Sequence, residues 1–169
     1  MDTYIEQLEE LSLTARVAIA LKLFDLYCSK NHIIHPKINE FIDYLWQWPL
    51  IDGPNKFGPW ESSRPHLVNF GLGDELDSEL LILLESLGKS ERSFRVIISS
   101  IVEILWGSFW GRSENRQSLS SLKCVIKMTE SPLPNLTPFK FSKFLDGGGW
   151  GNRLTKEDVL YWRIFVNCI

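Results

Sequence analysis

The stretch Ser90–Trp110, SERSFRVIISSIVEILWGSFW, constrains the fold more than any other part of the chain. Within it Phe94, Ile97, Ile98, Ile101, Ile104, Leu105 and Phe109 recur at spacings of three and four, which places them on one stripe of an α-helix. Val96, Val102 and Trp106 widen the stripe to most of the circumference. A helix apolar nearly all round buries several sides, so this stretch is expected to be the central helix of a bundle, over about residues 90–107. Ser90 suits the N-cap, Glu91 the positive end of the helix dipole, and Gly107 the stop. Ser99, Ser100 and Glu103 interrupt the apolar run, so it lacks the purity of a membrane span. Glu103 is the odd residue. Facing the core it would need a partner such as an arginine; otherwise it marks the one solvent edge of the helix.

A chain of 169 residues, 44% apolar and 23% charged, can build one hydrophobic core without staples. The expectation is a single all-α domain over 1–169, a bundle of about six or seven helices around the central one. Residues 3–11 place Ile5, Leu8 and Leu11 inward, and a stronger helix runs from Ala15 to about Ser29 with Asn31 as its stop. Pro36 fits the first helical position of a third helix that reaches about Trp48 and ends at Pro49. Asp74–Leu87 reads as a helix before Gly88, and Leu119, Leu122, Val125 and Ile126 mark another. Thr137-Pro138 starts a short turn or helix holding Phe139, Phe141 and Phe144. Thr155-Lys-Glu-Asp is a capping-box pattern, and Val159, Leu160, Trp162, Ile164, Phe165 and Val166 carry the last helix to the end. No stretch alternates as paired strands do. Residues 49–66 hold four prolines, two glycines, Phe57 and Trp60, and are expected to form a long loop without regular structure. Gly147–Gly151, GGGWG, forms a second conspicuous loop.

The glycines of GGGWG would let backbone amides cradle an anion, but no Gly-Lys-Ser/Thr ending, no preceding strand and no G-x-G-x-x-G spacing accompany them. A turn that seats Trp150 in a groove competes with a recognition loop that exposes it. Cys28, His32 and His35 could approach one another near a helix end, yet no fourth ligand is evident, so neither metal nor cofactor is expected. A hydrolase could be assembled from Cys124 or a serine, His66 and an acid, but no G-x-S-x-G or H-E-x-x-H spacing selects such a set. Catalysis is therefore the minor reading: a small-molecule-binding or hydrolytic pocket using His35, His66 and Glu103 near the 49–66 loop. Cys28, Cys124 and Cys168 are odd in number and in no paired spacing, which suits reduced core thiols. The opening MDTYIEQLEELS carries acids where a secretory signal carries bases, so a cytoplasmic protein is expected.

Charge is split along the chain: residues 1–86 hold 6 Lys and Arg against 14 Asp and Glu, and residues 87–169 hold 12 against 7. Either the first half offers a surface to a basic partner, or the halves interleave and neutralise each other, which is slightly favoured. Overall acidity argues against nucleic-acid binding. Trp46, Trp48, Phe57 and Trp60 lie beside Asp43, Asp52 and Glu61, and Asp74, Glu75, Asp77 and Glu79 follow. Aromatic anchors ringed by carboxylates suit an interface to a basic protein. The candidate interface is Trp48, Phe57, Trp60, Glu61, Asp74, Glu75 and Trp150, each of which also fits an ordinary place in a core or a helix cap.

The acidic-first helical character, the W-x-W-P at Trp46–Pro49 and the Gly/Trp loops together resemble small bacterial immunity proteins of polymorphic toxin systems. The resemblance assigns no site residues. It implies a protein that binds a toxin domain and blocks it by occlusion, without catalysis.

Overall fold

Two long helices supply much of the buried core, and the other elements pack against them. The computed structural model describes residues 2–112 and 115–165. In chain order the helices are α1 (Asp2–Glu10), α2 (Leu13–Lys30), α3 (Pro36–Leu45), α4 (Pro54–Ser62), α5 (His66–Gly71), α6 (Ser78–Ser86), α7 (Glu91–Phe109), α8 (Asn115–Thr129) and α9 (Lys156–Ile164). Single 3-10 turns lie at Trp48–Leu50, Thr137–Phe139 and Gly147–Gly149. The fold is an all-α bundle, with nine helices among the described residues where six or seven were expected. No described helix is long and apolar enough to cross a membrane. Val166, expected in the last helix, and Cys168 lie outside the described residues.

The caps expected at Ser90 and Thr155 are present, and Asp77 adds a third. Ser90 Oγ accepts from the Ser93 amide, Asp77 caps α6, and Thr155 forms a full capping box with Asp158. The central helix α7 packs against α2, α5, α6 and α8, with Phe94, Ile97, Ile98, Ile101, Ile104 and Leu105 fully buried. It continues two residues past Gly107, which does not stop it. The Glu103 side chain lies over Gly107, and a Cβ there would sit 2.6 Å from Glu103 Oε1. Glu103 is half-buried on the α8 side, where Gln117 Nε2 donates to it at 2.5 Å; its partner is an amide and not an arginine.

The second of these helices is α2, where the sequence places a helix from Ala15 to about Ser29. Every residue from Leu11 to Leu21 is buried, because α3, α7, α8 and α9 pack around it and Ala15, Ala18 and Ala20 allow them close. Arg16 lies in this stretch with no solvent exposure. All five of its N–H donors are used: Nε on the Leu8 carbonyl, Nη1 on Asn115 O and Ser118 Oγ, Nη2 on Glu9 O and Asn115 Oδ1, at 2.5–3.1 Å. Leu8 and Glu9 end α1, so the cation meets the negative end of that helix. The Phe144 ring covers the guanidinium at 5.3 Å. Burial lowers the Arg16 pKa to about 10, against the attraction of Glu9, so it stays charged at neutral pH. Burial also raises the pKa of the Cys28 thiol, aided by Asp25, which leaves it an inert core group; Cys124 is half-buried.

Residues 49–66 depart most from expectation. They form the Trp48–Leu50 turn and α4, with Pro54 at the first helical position and Pro59 inside the helix. Tertiary contact overrides composition here. Trp60 stacks on Tyr44 of α3 at 4.7 Å and 4°, Tyr44 Oη donates to the Trp60 carbonyl at 2.8 Å, and Trp60 Nε1 donates to the Tyr44 carbonyl at 3.3 Å. Asp74–Asp77 is likewise not helical: α6 begins only at Ser78, after a separate short α5.

Replacing Arg16 by lysine is expected to cost about 2–4 kcal/mol of stability, because one ammonium cannot serve carbonyls at the end of α1 and the start of α8 together. Arg16→Met should cost about 3–5 kcal/mol by leaving buried carbonyls unpaired. Urea denaturation at neutral pH measures both, and a wild-type midpoint in either variant would remove Arg16 from this role.

Candidate functional site

Four segments deliver aromatic rings to one end of the bundle. Pro49 turns the chain after α3 and leaves Trp48 beside α4, where Phe57 and Trp60 share a face at i, i+3. The last turn of α7 adds Trp106 and Phe109, its C-cap adds Trp110, and the glycine loop adds Trp150. Trp48 lies 5.0 Å from both Phe109 and Trp150, and Phe109 stacks on Trp150 at 5.7 Å and 22°. Phe57 meets Phe109 at 5.1 Å and Trp110 at 6.1 Å, both edge to face. The indole N–H groups of Trp48 and Trp106 are buried without an acceptor, each packed against Trp60, at 5.4 and 5.6 Å. Ring faces offer such donors only a weak substitute.

Burial separates anchors from core. Trp60, 4% exposed, belongs to the core, as does Trp106. Trp48, Phe57, Phe109 and Trp150 are half-buried and line a shallow cavity of about 370 Å³. Trp110 is 76% exposed at its edge. Trp110 was not among the candidate residues, although its position one turn beyond Trp106 and just before the polar Gly111–Ser118 stretch was a usable signal.

The glycine loop is a rigid mount for Trp150. The amides of Gly149 and Gly151 both donate to Asp146 O, and the Trp150 amide to Gly147 O, so these three amides are not free to cradle an anion. Gly151 has φ +83°, and a Cβ on it would meet Ser142 Oγ at 2.5 Å and Ser12 at 2.9 Å. Those serines are buried and joined hydroxyl to hydroxyl at 2.7 Å, which roots the loop in the α2 cap.

The carboxylates do not ring this face as free charges. Asp52 pairs with Arg153 at 2.9 Å, Glu61 with Arg64 at 2.6 Å, and Asp43 with Arg163. Asp43 and Asp52 thus meet arginines of the second half, the interleaving that the charge split allowed. Asp74 and Glu75 are exposed on the α5–α6 connector and form no ion pair among the described residues. Arg95 donates to the carbonyls of Phe70 and Asp74. Phe109 lies fourteen residues farther along α7, roughly 21 Å at 1.5 Å per residue. Aromatics and free acids therefore occupy opposite ends of that helix.

The histidines sit at the acidic end. His35 caps α3, its Nδ1 accepting from the Lys37 amide at 3.3 Å, and His66 Nε2 accepts from the Asp77 amide at 2.9 Å. His35, Asp77 and Glu79 bring ligand atoms within 4.8 Å of one another. That cluster is already committed: Asp77 takes the Leu80 amide and the Lys37 ammonium, the latter at 2.8 Å. His35, accepting through Nδ1, carries its proton on Nε2, the nitrogen 4.0 Å from Glu79. The arrangement ties α3, α5 and α6 together. Glu103, on the α8 side, does not join the two histidines. Another cavity, about 670 Å³, lies between α2, α3 and α9, and no histidine lines it or the aromatic cavity.

Gly151→Ala should cost about 2–4 kcal/mol through its left-handed φ and the serine clash. Release of Trp150 should also shift tryptophan emission to the red; a native spectrum and midpoint would contradict this mount. At the other end, the Lys37 hydrogen bond holds the Asp77 carboxyl below its ordinary 3.8. A folded-state pKa depressed in this way stabilises the protein above pH 3.8, and the gain is lost as pH falls through the folded value. Asp77→Asn keeps the cap and removes the charge. Its thermal deficit should be full near neutrality and shrink on acidification below about pH 4; a constant deficit would refute the pairing.

No protein-family model, curated protein or solved structure matches the chain.

Proposed function

We propose that this protein is a non-catalytic protein-binding module, most concretely an immunity-type inhibitor that occludes a bacterial toxin domain. Trp110 carries the reading: a tryptophan 76% exposed at the rim of a stacked aromatic cluster. Tryptophan is costly to leave in water and is enriched at the centres of protein interfaces. Its neighbours Phe57, Phe109 and Trp150 are half-buried and fixed by one another, so the face meets a partner already ordered. Occlusion needs such a face and no reacting group. The connector acids Asp74 and Glu75, with Glu79 in the first turn of α6, supply a second, separate surface suited to steering a basic region of the partner. A cytoplasmic location belongs to the same reading.

The test is co-purification with the product of the adjoining open reading frame. Trp110→Ala should weaken that complex by about 2–4 kcal/mol while the unfolding midpoint stays at the wild-type value, since the side chain is exposed. Unchanged affinity in the Trp110 variant, or no complex at all, overturns the proposal.

A further inference from the structure

The aromatic face continues into a second groove of about 500 Å³ that shares Trp48 and Trp150 with the first. Its lining carries four charged side chains, Asp52, Lys56, Arg153 and Lys156. Asp52 is held by Arg153, which leaves Lys56 and Lys156 exposed and without an ion pair among the described residues. The groove therefore has a net charge of +2 on an aromatic wall, in a protein whose overall charge is −3. A cationic groove on an acidic protein is a local feature that its general composition does not explain.

We propose that this groove binds an acidic segment of a protein partner, a stretch in which one or two carboxylates flank an apolar side chain. The inference rests on reading the aromatic face as a protein-binding surface. The carboxylates meet Lys56 and Lys156, and the apolar side chain lies against Trp48 and Trp150 toward the cavity of Phe57 and Phe109. The nearby N-terminus of α9 is closed by its own capping box, Asp158 accepting from the Thr155 amide at 2.8 Å, so the charge attraction comes from the lysines. The rim is preorganised, because Trp150 packs against Trp48 and Phe109 and the Asp52–Arg153 pair joins two of the lining residues. This surface is distinct from the acidic connector at the far end of α7, so each can serve an opposite charge on one partner.

The test is selection of short random peptides displayed on phage against the immobilised wild-type protein, alongside the double variant Lys56→Glu, Lys156→Glu. Enriched peptides should place Asp or Glu beside Phe, Leu or Trp. They should bind the double variant at least about tenfold more weakly, and lose affinity as salt rises from about 0.05 to about 0.5 M. Enrichment of Lys- and Arg-rich peptides, or acidic peptides that bind the double variant equally, overturns the groove's assignment and leaves the protein-binding face standing. Peptides that ignore the double substitution but are lost in Trp110→Ala likewise support the face alone. Absence of any enrichment over blank resin overturns both.

Discussion

A charged group at the centre of the bundle holds this fold in one arrangement. Burying a guanidinium is unfavourable unless each donor finds an acceptor, and Arg16 finds five acceptor contacts on α1 and α8. The acceptors are carbonyls, a hydroxyl and an amide oxygen, so the geometry must be right at both helices at once. Hydrophobic packing alone would let α1 and α8 slide against α2 with little change in buried area. The fork of Arg16 sets how α1 ends and where α8 begins. In turn α8 packs along α7, the helix whose end carries the aromatic face.

The end of α7 is where the aromatic face is built, and the face inherits its order from that core. Trp106 is inside, Phe109 at the boundary and Trp110 outside, three stages of exposure within five residues of one helix. The other rings arrive from segments of poor helical propensity, namely the Pro- and Gly-rich α4 and the glycine turn at Gly147–Gly149. Each such segment is held by specific hydrogen bonds: Tyr44 with Trp60 for α4, and the Gly149 and Gly151 amides on the Asp146 carbonyl for the glycine turn. Weak local propensity and strong tertiary anchoring make the face rigid without making it part of a regular helix.

Much of the scaffold was legible in the sequence because it rests on local rules. The periodicity of Phe94–Phe109, the caps at Ser90, Asp77 and Thr155, and the stop at Asn31 depend on residues within a turn of one another. What was not legible depends on distant partners. Four prolines and two glycines between 49 and 66 read as loop, because the Tyr44 contacts that hold α4 cannot be seen in the composition of that segment. Nothing near Arg16 in the sequence marks it as buried, since its acceptors lie near residues 8 and 115. The candidate interface was read as one patch from sequence proximity, but Asp74 is held by Arg95 near the start of α7 while the aromatics gather around Phe109 at its end, fourteen residues on.

That separation changes what the charge split means. An acidic first half and a basic second half suggest a dipolar molecule, but the fold crosses them: Asp43 meets Arg163 and Asp52 meets Arg153. These two pairs offset part of the asymmetry, and among the charges left exposed are the acids of the α5–α6 connector and the lysines beside Trp48 and Trp150. Screening at physiological salt acts over about 8 Å, so two such patches at opposite ends of α7 behave independently. A partner that engages both must present opposite charges at a matching span. That geometric demand discriminates among partners more sharply than net charge does, and it follows from the internal pairing of charges far apart in sequence.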